Sequence, residues 1–472
     1  MKSVLVGNGI NIQFGGKAYS SQFIMKRIKF KSKLEMYDKL FEGTIRGEEI
    51  YKILNAFVDI TNDTLDGKYD NYIKNEETKI AVNDFKNRYK KVSEPHEIMV
   101  EDWFLILHLF FLKNSDLKEN AKAAKVGFER LILDGIYNDG RLQEVHEKMG
   151  RKVRKFFRTF NNIFTLNYDN NLEKLTGKEV YHLHGDFSVL AHTENPNYVY
   201  GYINNIENNI VTIEGMEHCF CNALLNYSGF EKLKVAEAND MLCNITENYH
   251  IKYKEDMEFR NYVEGLKETD LRLYKAYKTK IENPHLIFAT QYHFKKLECI
   301  EDELHIIGMS PNNDGHILEK IKNNNKLKKV YFYYYCQEEK EIIEKLEPKG
   351  LYIPLSIKDL WNDLDANKPQ YNVKYKLPNE IDSFINAFSA LSEDKVTKDD
   401  VLYEAKGIPE FEAIRLCKLV KEKLQKNSKK ESITEEEFNI ERYTISYIAL
   451  REGVLPATLL MLYTIYLKKY RL

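Results

Sequence analysis

The chain has 472 residues, which exceeds the roughly 250–300 residues at which a single hydrophobic core stops growing. We therefore expect two domains, or one domain with large insertions. Lys and Arg number 70 against 72 Asp and Glu, a formal charge of -2. This balance lacks the basic excess of nucleic-acid-binding proteins and disfavours nucleic acid as a partner. The six cysteines lack the paired spacing of a structural zinc site, and we expect no metal.

The amino terminus and the longest apolar stretch bear on the location of the protein. Met1 is followed almost at once by the strand-like run 4–6, which differs from the charged and apolar regions of a secretory signal. The longest uncharged apolar stretch, 454–467, contains Pro456 and is shorter than the roughly 20 residues of a membrane-spanning helix. We therefore expect a cytoplasmic protein with no membrane partner, in which 454–467 forms a buried terminal helix.

The first predicted strand, 3–6, leads directly into the glycine loop Gly7-Asn8-Gly9. Glycines at alternate positions after a strand let the backbone turn tightly and approach a phosphate. The third glycine of the dinucleotide-binding fingerprint is missing from its usual place. The loop alone therefore leaves two interpretations open, a nucleotide site and an ordinary strand-to-helix turn.

Two insertions are predicted around the second and third strands. Residues 17–160 have apolar residues at the three- and four-residue spacing of amphipathic helices, and this span is too long for a simple crossover. Strand-like runs follow at 162–168 and 180–183. The second insertion, about 187–284, is mostly irregular and contains a charged helical stretch at 251–280.

The later part of the chain has the spacing of repeated strand-helix units. Strands are predicted at 285–289, 304–308, 329–335 and 350–355. Because parallel strands need helical crossovers, this pattern indicates a parallel sheet. The predicted fold class is α/β, with a doubly wound, Rossmann-like parallel sheet and large helical insertions in residues 1–365. A helical C-terminal region is predicted at 370–472.

Polar or glycine-rich residues follow four of the predicted strands, namely Gly7-Asn8-Gly9, Asn167-Tyr168-Asp169, His184-Gly185 and Gly308-Met309-Ser310. Ligands of open α/β sheets bind at the carboxyl ends of the strands, so we expect these four strand ends to share one crevice. The imidazole of His184 suits proton transfer near neutral pH, although a histidine that only caps a strand end is the alternative. His182 lies two residues deeper, and we predict that it packs within the sheet.

In this order, the four motifs resemble the sirtuin-like family, in which a glycine-rich loop, an Asn-x-Asp strand end, a His-Gly and a Gly-x-Ser follow one another. The resemblance spans residues 1 to about 360. It is closest to bacterial sirtuin-like proteins that consume NAD as effectors of antiphage defence. It implies that NAD is the substrate and that one domain, 1–365, binds it.

The resemblance also implies a role for each matching residue. Asn167 would hold the ribose and the attacking water, and His184 would act on the ribose hydroxyls or on that water. Asp169 would meet the nicotinamide carboxamide, while Gly7 and Gly9 would approach the pyrophosphate. The implied NAD-binding residues are Gly7, Asn8, Gly9, Asn11, Asp169, Gly308, Ser310, Asn313 and Asp314.

Two departures from the family pattern narrow the expected activity. The chain lacks the four-cysteine zinc ribbon of protein-deacylating sirtuins, and Asn8 stands in the middle of a loop that reads Gly-Ala-Gly in them. Both departures disfavour a deacylase and leave NAD hydrolysis or nucleotide binding. Cleavage of the nicotinamide N-glycosidic bond passes through a cationic ribosyl species. Such a site must therefore shield the cation and direct one nucleophile.

The sequence thus favours an NAD hydrolase that releases nicotinamide and ADP-ribose as a toxic effector in antiphage defence. A constitutively active enzyme would harm its host, so we expect control by a nucleotide signal, by homo-oligomerisation or by a partner defence subunit that senses infection. The alternative is a nucleotide-binding sensor or interaction module without hydrolysis. Region 370–472 is the candidate for assembly or docking, with simple core packing as the competing interpretation.

Overall fold

The computed structural model describes most of the chain, namely residues 1–41, 43, 45–114, 117, 121–188, 198–199, 202–203, 213–226, 229–312, 314–392, 396–427 and 435–470. Its central element is a parallel sheet of six strands. The strands in chain order, including a separate antiparallel hairpin formed by the fourth and fifth, are β1 (Lys2–Val6), β2 (Asn162–Thr165), β3 (Tyr181–His182), β4 (Tyr198–Val199), β5 (Tyr202–Ile203), β6 (Asp302–Ile307), β7 (Leu327–Tyr334) and β8 (Tyr352–Ser356).

Helices make up most of the remaining described residues. The α-helices are α1 (Gly9–Gly15), α2 (Ser21–Ser32), α3 (Gly47–Leu65), α4 (Glu76–Arg88), α5 (Val100–Lys113), α6 (Ala121–Tyr137), α7 (Arg151–Arg158), α8 (Asn171–Thr176), α9 (Gly229–Thr246), α10 (Tyr249–Glu255), α11 (Met257–Thr269), α12 (Leu271–Glu282), α13 (Phe294–Glu298), α14 (Gly315–Lys322), α15 (Gln337–Ile343), α16 (Ile357–Asp363), α17 (Ile381–Ser392), α18 (Lys398–Lys406), α19 (Glu410–Asn427), α20 (Glu435–Glu452) and α21 (Pro456–Tyr470). Short 3₁₀ helices lie at Lys17–Tyr19, Glu35–Phe41, Asp70–Tyr72, Pro95–Glu97, Arg141–Lys148 and Glu217–Cys219.

The strand order of the large sheet is β3-β2-β1-β6-β7-β8, and all five pairings are parallel. The chain therefore builds one half of the sheet outward from β1 and then returns to β6, on the other side of β1. This is the order of a doubly wound, Rossmann-like sheet, and it confirms the predicted fold class. The switch point of the topology lies between β1 and β6.

Both faces of the sheet are covered, as an all-parallel sheet requires. Successive residues of a strand point to opposite faces, so Val4 and Val6 pack in one hydrophobic core while Leu5 packs in another. The first core includes Trp361 of α16, and the second includes Ile317 of α14. Continuous apolar strands are thus explained by burial on two sides.

The predicted first insertion is helical, and it has its own hydrophobic core. Helices α2 to α6 bury a cluster of aromatic and aliphatic side chains that includes Phe57, Trp103 and Phe128, each at most 1% exposed. The stretch at 251–280 is also helical, as predicted, and is divided among α10, α11 and α12.

Two features, one within the second insertion and one directly after it, differ from the prediction. Residues 285–289 do not form a strand, and Ile287 makes only an isolated bridge. The carbonyls of Pro284 and Leu286 accept hydrogen bonds from Lys280 at 2.7 and 2.5 Å. Helix α9 was not predicted, since its apolar residues are interrupted by buried polar ones such as Lys232 and Asp240. This helix proves important for the site.

The C-terminal helices α17 to α21 surround a hydrophobic core of their own, in which α21 buries Leu459, Met461 and Leu462. The turn between α20 and α21 also contacts the first insertion. The buried guanidinium of Arg27 donates to the carbonyl of Leu450 at 3.0 Å. A side chain at Gly453 would come within 2.4 Å of the Ala18 nitrogen. The region is therefore joined to the rest of the chain by close packing.

Across the part of the chain that the structure describes, no single helix is long and apolar enough to cross a bilayer. Residues Arg442–Glu452 and Pro456–Tyr466 reach that length and composition only as a pair, and the two segments are bent by 109° at the break between them.

Candidate functional site

A crevice lies at the carboxyl ends of β1, β2, β3 and β6, where the topology switches direction, and this is where ligands of doubly wound sheets bind. Its cavity volume is about 190 Å³. We define the crevice by its lining residues, which are Gly7, Asn8, Asn11, Ser21, Ile24, Met99, Val100, Ile136, Leu142, Leu166, Asn167, Tyr168, Asp169, His184, Leu225, Gly308, Met309, Ser310 and Asp314.

Most of the residues predicted from the four motifs line this crevice together. Those that do so are Gly7, Asn8, Asn11, Asn167, Asp169, His184, Gly308, Ser310 and Asp314. Gly9 begins α1 and is not among the lining residues. The prediction for Asn313 falls outside the described residues.

The glycine loop packs directly against the loop that follows β6. A Cβ at Gly7 would lie 2.6 Å from the Gly308 oxygen, and a Cβ at Gly9 would lie 2.6 Å from the Gly308 Cα. The amides of Gly7 and Gly9 donate to the carbonyls of Ile307 and Gly308, and the Ile10 amide donates back to Gly7. Contact between the two loops therefore explains the glycines, and these three amides already have acceptors inside the protein.

A buried network connects the glycine loop to the end of β2. Asn11, at 1% exposure, donates from Nδ2 to Asp169 Oδ2 at 2.7 Å. Asn171 donates to Asp169 Oδ1 from its backbone at 3.1 Å and from its side chain at 2.6 Å. Burial raises the pKa of Asp169, although these three donors act in the opposite direction. Both carboxylate oxygens are thus engaged in holding neighbouring asparagines.

The side-chain nitrogen of Asn167 is hydrogen-bonded within the protein, whereas its side-chain oxygen is open to the crevice. Its Nδ2 donates to the Gly7 carbonyl at 3.3 Å, and its backbone amide donates to Thr165 Oγ1 at 3.0 Å. The hydrogen bonds among described residues leave its Oδ1 oxygen without a donor, and the residue lines the crevice. Asn167 can therefore accept a hydrogen bond from a hydroxyl or a water bound there.

His182 supports Asn167 from within the sheet. Its Nδ1 lies 2.9 Å from the Asn167 carbonyl, and its Nε2 lies 2.6 Å from Glu173 Oε1. Burial lowers the pKa of His182, but the hydrogen bond and charge of Glu173 outweigh this effect and raise the pKa overall. His182 is only 8% exposed and is not among the crevice residues, so its predicted packing within the structure is confirmed.

His184 forms a buried pair with His316, the second residue of α14. Their Nε2 atoms are 3.0 Å apart, and the ring planes differ by only 17°. The ring centroids are 5.2 Å apart, which is about the Nε2 separation plus two ring radii. The two rings therefore point at each other head to head, in nearly one plane. This is the geometry of a single N–H···N hydrogen bond.

Both imidazoles are held in the neutral form. Burial, the charge of Lys232 and the presence of His316 lower the pKa of His184 well below its usual value. Burial and Lys232 likewise lower the pKa of His316 to about 3. Lys232 lies on α9 and is itself 1% exposed. At neutral pH the pair therefore shares one proton across its short contact.

His184, His316 and Asp314 also offer three atoms within 4.8 Å of one another, which raises the possibility of a metal ion. Bonds from zinc to histidine nitrogen are about 2.0–2.1 Å long and tetrahedral, so two nitrogens that bind one zinc lie about 3.3–3.4 Å apart with their lone pairs converging on the metal. The observed nitrogens are 3.0 Å apart and face each other head to head, which is the geometry of an N–H···N hydrogen bond and not that of two lone pairs converging on one metal. The positive charge of Lys232 further disfavours a cation at this position.

A second group of possible metal ligands consists of Asp134 from the first insertion and of His218 and Cys219 from the second. Asp134 already accepts hydrogen bonds from Lys31 at 2.6 Å, from Tyr37 at 2.8 Å and from His218 at 2.8 Å. The carboxylate is thus saturated by protein donors, and the group forms a buried ion-pair network.

The insertions cover the crevice, which the sequence could not indicate. Ser21, Ile24, Met99, Val100 and Ile136 reach it from α2, from the segment around the start of α5, and from α6. Leu225 comes from the second insertion, whose neighbouring Leu224 amide donates to the His184 carbonyl at 2.7 Å. Polar strand ends thus meet a mostly apolar cover.

Sequence reasoning missed His316 and Lys232, two buried polar residues beside His184. The only signal for His316 was its position two residues after Asp314, close to the Gly308 motif. No local pattern indicated Lys232, since α9 lies far from the motifs along the chain.

Comparisons with protein-family models, with curated proteins and with solved structures find no match to this chain. The likeness to sirtuin-like proteins therefore rests on the short motifs and their order.

Proposed function

We propose that the crevice binds NAD and that the chain hydrolyses the nicotinamide N-glycosidic bond, releasing nicotinamide and ADP-ribose. The observation that carries the proposal is the meeting of four polar strand ends in one covered crevice at the switch point of the sheet. NAD is the substrate in this proposal, and no step of it requires a metal.

The contacts of the crevice residues support a division of roles. The open Oδ1 of Asn167 is suited to accept from a ribose hydroxyl or from the attacking water. His184, buried and neutral, would contact a ribose hydroxyl or that water. The oxygens of Asp169 are already engaged, so its role would be to hold Asn11 at the crevice wall. The apolar cover would exclude bulk water from the cationic intermediate.

We further propose that this activity serves as a toxic effector in antiphage defence. Uncontrolled NAD hydrolysis would deplete the host, so the activity would await a nucleotide signal, homo-oligomerisation or a partner subunit that senses infection. Side chains of both insertions line the crevice, so a signal or partner that shifts these insertions would change access to it.

The test uses Asn167→Ala and His184→Ala in the full chain, with Asn261→Ala and His285→Ala as matched controls, because both control residues are exposed and lie outside the crevice. NAD and nicotinamide are measured in lysates of phage-infected cells and with the purified proteins. We expect NAD loss with the unmodified chain and both controls, and none with the two crevice variants. Equal NAD loss in all five proteins would refute the proposal.

A non-hydrolysing nucleotide sensor is the second candidate. The observation that favours it is that the Asp169 carboxylate and the Nε2 of His184 are both already hydrogen-bonded within the protein. Calorimetry with NAD and a nicotinamide assay on the same sample distinguish the two. Tight binding without nicotinamide release, in infected lysate as well as in buffer, would identify a sensor.

A further inference from the structure

The distance between His184 and His316 does not identify which of the two rings donates the proton of their hydrogen bond. Each neutral imidazole carries one N–H, on Nδ1 or on Nε2. Two N–H groups or two lone pairs facing each other at 3.0 Å would repel, so one ring donates and the other accepts. The surroundings of the two Nδ1 atoms decide between these arrangements.

The Nδ1 of His316 has surroundings that suit a lone pair and not an N–H. It is buried and has no hydrogen-bond partner among the described residues. Gly229 lies so close that a Cβ there would come within 2.0 Å of this atom. The glycine hydrogen that replaces the Cβ therefore points at Nδ1. A lone pair tolerates such a C–H contact, whereas an N–H would clash with it and remain unsatisfied.

The Nδ1 of His184 is in a different situation. None of the described residues hydrogen-bonds it, and His184 lines the crevice, so this nitrogen is the one left for a ligand or water. A proton on Nδ1 of His184 can be donated to a ligand or to water in the crevice. A proton on Nδ1 of His316 would be buried without an acceptor among the described residues. The lowest-energy arrangement thus places one proton on Nε2 of His316 and the other on Nδ1 of His184.

We propose that His316 is a positioning residue, which donates from Nε2 to Nε2 of His184 and thereby holds His184 as the Nδ1–H tautomer. His184 then offers the crevice a hydrogen-bond donor, and a ligand oxygen such as a ribose hydroxyl or a phosphoryl oxygen is its chemical complement. The nature of that ligand rests on the proposed function, whereas the tautomer does not.

The experiment measures the tautomer directly in the full chain at pH 7. Histidine labelled with ¹⁵N is incorporated, and long-range ¹H–¹⁵N correlation spectra distinguish protonated from unprotonated ring nitrogens. The chain has 12 histidines, and the signals of His184 are identified by their loss in His184→Gln. We expect a protonated Nδ1 and an unprotonated Nε2. An Nε2–H tautomer of His184, or equal populations of both, would overturn the proposal.

Two substitutions of His316 test its role in opposite directions. His316→Gln retains an N–H donor and should leave His184 as the Nδ1–H tautomer with NAD hydrolysis preserved. His316→Glu presents an acceptor, so the His184 proton should move to Nε2, and hydrolysis should fall by on the order of 100-fold. An unchanged tautomer in a folded His316→Glu protein would contradict the assignment, and if this variant does not fold, the spectrum of the unmodified chain still decides.

Failure of this inference is distinguishable from failure of the proposed function. A chain that consumes no NAD but shows the expected tautomer would refute NAD hydrolysis and leave the role of His316 intact. A chain that hydrolyses NAD with His184 protonated on Nε2 would support the proposed function and refute the role of His316.

Discussion

The side chain of Asn11 donates to the carboxylate of Asp169 at 2.7 Å, across 158 residues of sequence. This bond ties the first turn of α1 to the end of β2. Because both residues line the crevice, its shape depends on a contact between two parts of the chain that are separated by the whole first insertion.

Removing the Asp169 carboxylate should destabilise the fold as well as the crevice. In Asp169→Ala, donors of Asn11 and Asn171 would remain buried without an acceptor, and we expect a loss of about 3 kcal/mol of unfolding free energy. Asp169→Asn keeps one acceptor oxygen and should lose less. Urea unfolding followed by circular dichroism measures both, and equal stability of the three proteins would contradict the network.

The contact between the glycine loop and Gly308 should not tolerate a methyl group. In Gly9→Ala, the Cβ would meet the Gly308 backbone at 2.6 Å, so the two loops must separate at a cost of about 1–3 kcal/mol. Gly150→Ala is the matched control, because a Cβ there has nothing within 4 Å. Thermal melting of the two variants should show a decrease for Gly9→Ala only; a decrease of the same size in both would point to a general effect of losing glycine.

The histidine pair should make stability sensitive to acid. Burial first, and Lys232 second, lower the pKa of His316 to about 3, whereas the unfolded chain binds a proton near the usual value of 6.5. The unfolded state therefore takes up more protons between these pH values, and the unfolding free energy should fall as the pH falls below 6.5. The slope from one such group is at most about 1.4 kcal/mol per pH unit.

His316→Leu removes this contribution together with the smaller effect of His316 on the pKa of His184. The difference in unfolding free energy between pH 7 and pH 5.5, obtained from urea titrations, should be smaller in the variant than in the unmodified chain. An identical pH dependence would mean that His316 is protonated to the same extent in the folded and unfolded states.

The docking of the C-terminal helices should depend on Gly453. This residue has a φ of 76°, and a Cβ would lie 2.4 Å from the Ala18 nitrogen, so Gly453→Ala adds backbone strain and a clash. We expect a local loss of about 2 kcal/mol or more. Hydrogen exchange should accelerate at the turn between α20 and α21 and around Ala18.

Gly407→Ala is the control for this experiment, because its nearest contact to a new Cβ is the Glu404 oxygen at 3.5 Å. It should leave exchange at the turn unchanged. If Gly453→Ala also had no effect, the contact with Ala18 would not hold the two regions together.

The sequence by itself determined the strands that carry the motifs and their parallel arrangement. The runs ending at Val6 and Ile307 are mostly apolar, with His305 as the exception in the second, because they are buried on both faces, and that signal is local. Residues 285–289 carried a similar apolar signal but form no strand, so this local signal alone does not decide which segments join the sheet. Because ligands of open α/β sheets bind at the carboxyl ends of the strands, the sequence predicted that Asn167, Asp169 and His184 share one crevice. All three line one crevice in the tertiary structure.

Only the tertiary structure decided what those residues touch. The hydrogen bond from Asn11 to Asp169, the packing of the glycine loop on Gly308 and the contact of His316 with His184 all join distant parts of the chain. Such contacts depend on the packing of whole helices, for which the local pattern of apolar residues contains no information. The protonation of His184 is determined in the same way, by a glycine on α9 and a histidine on α14.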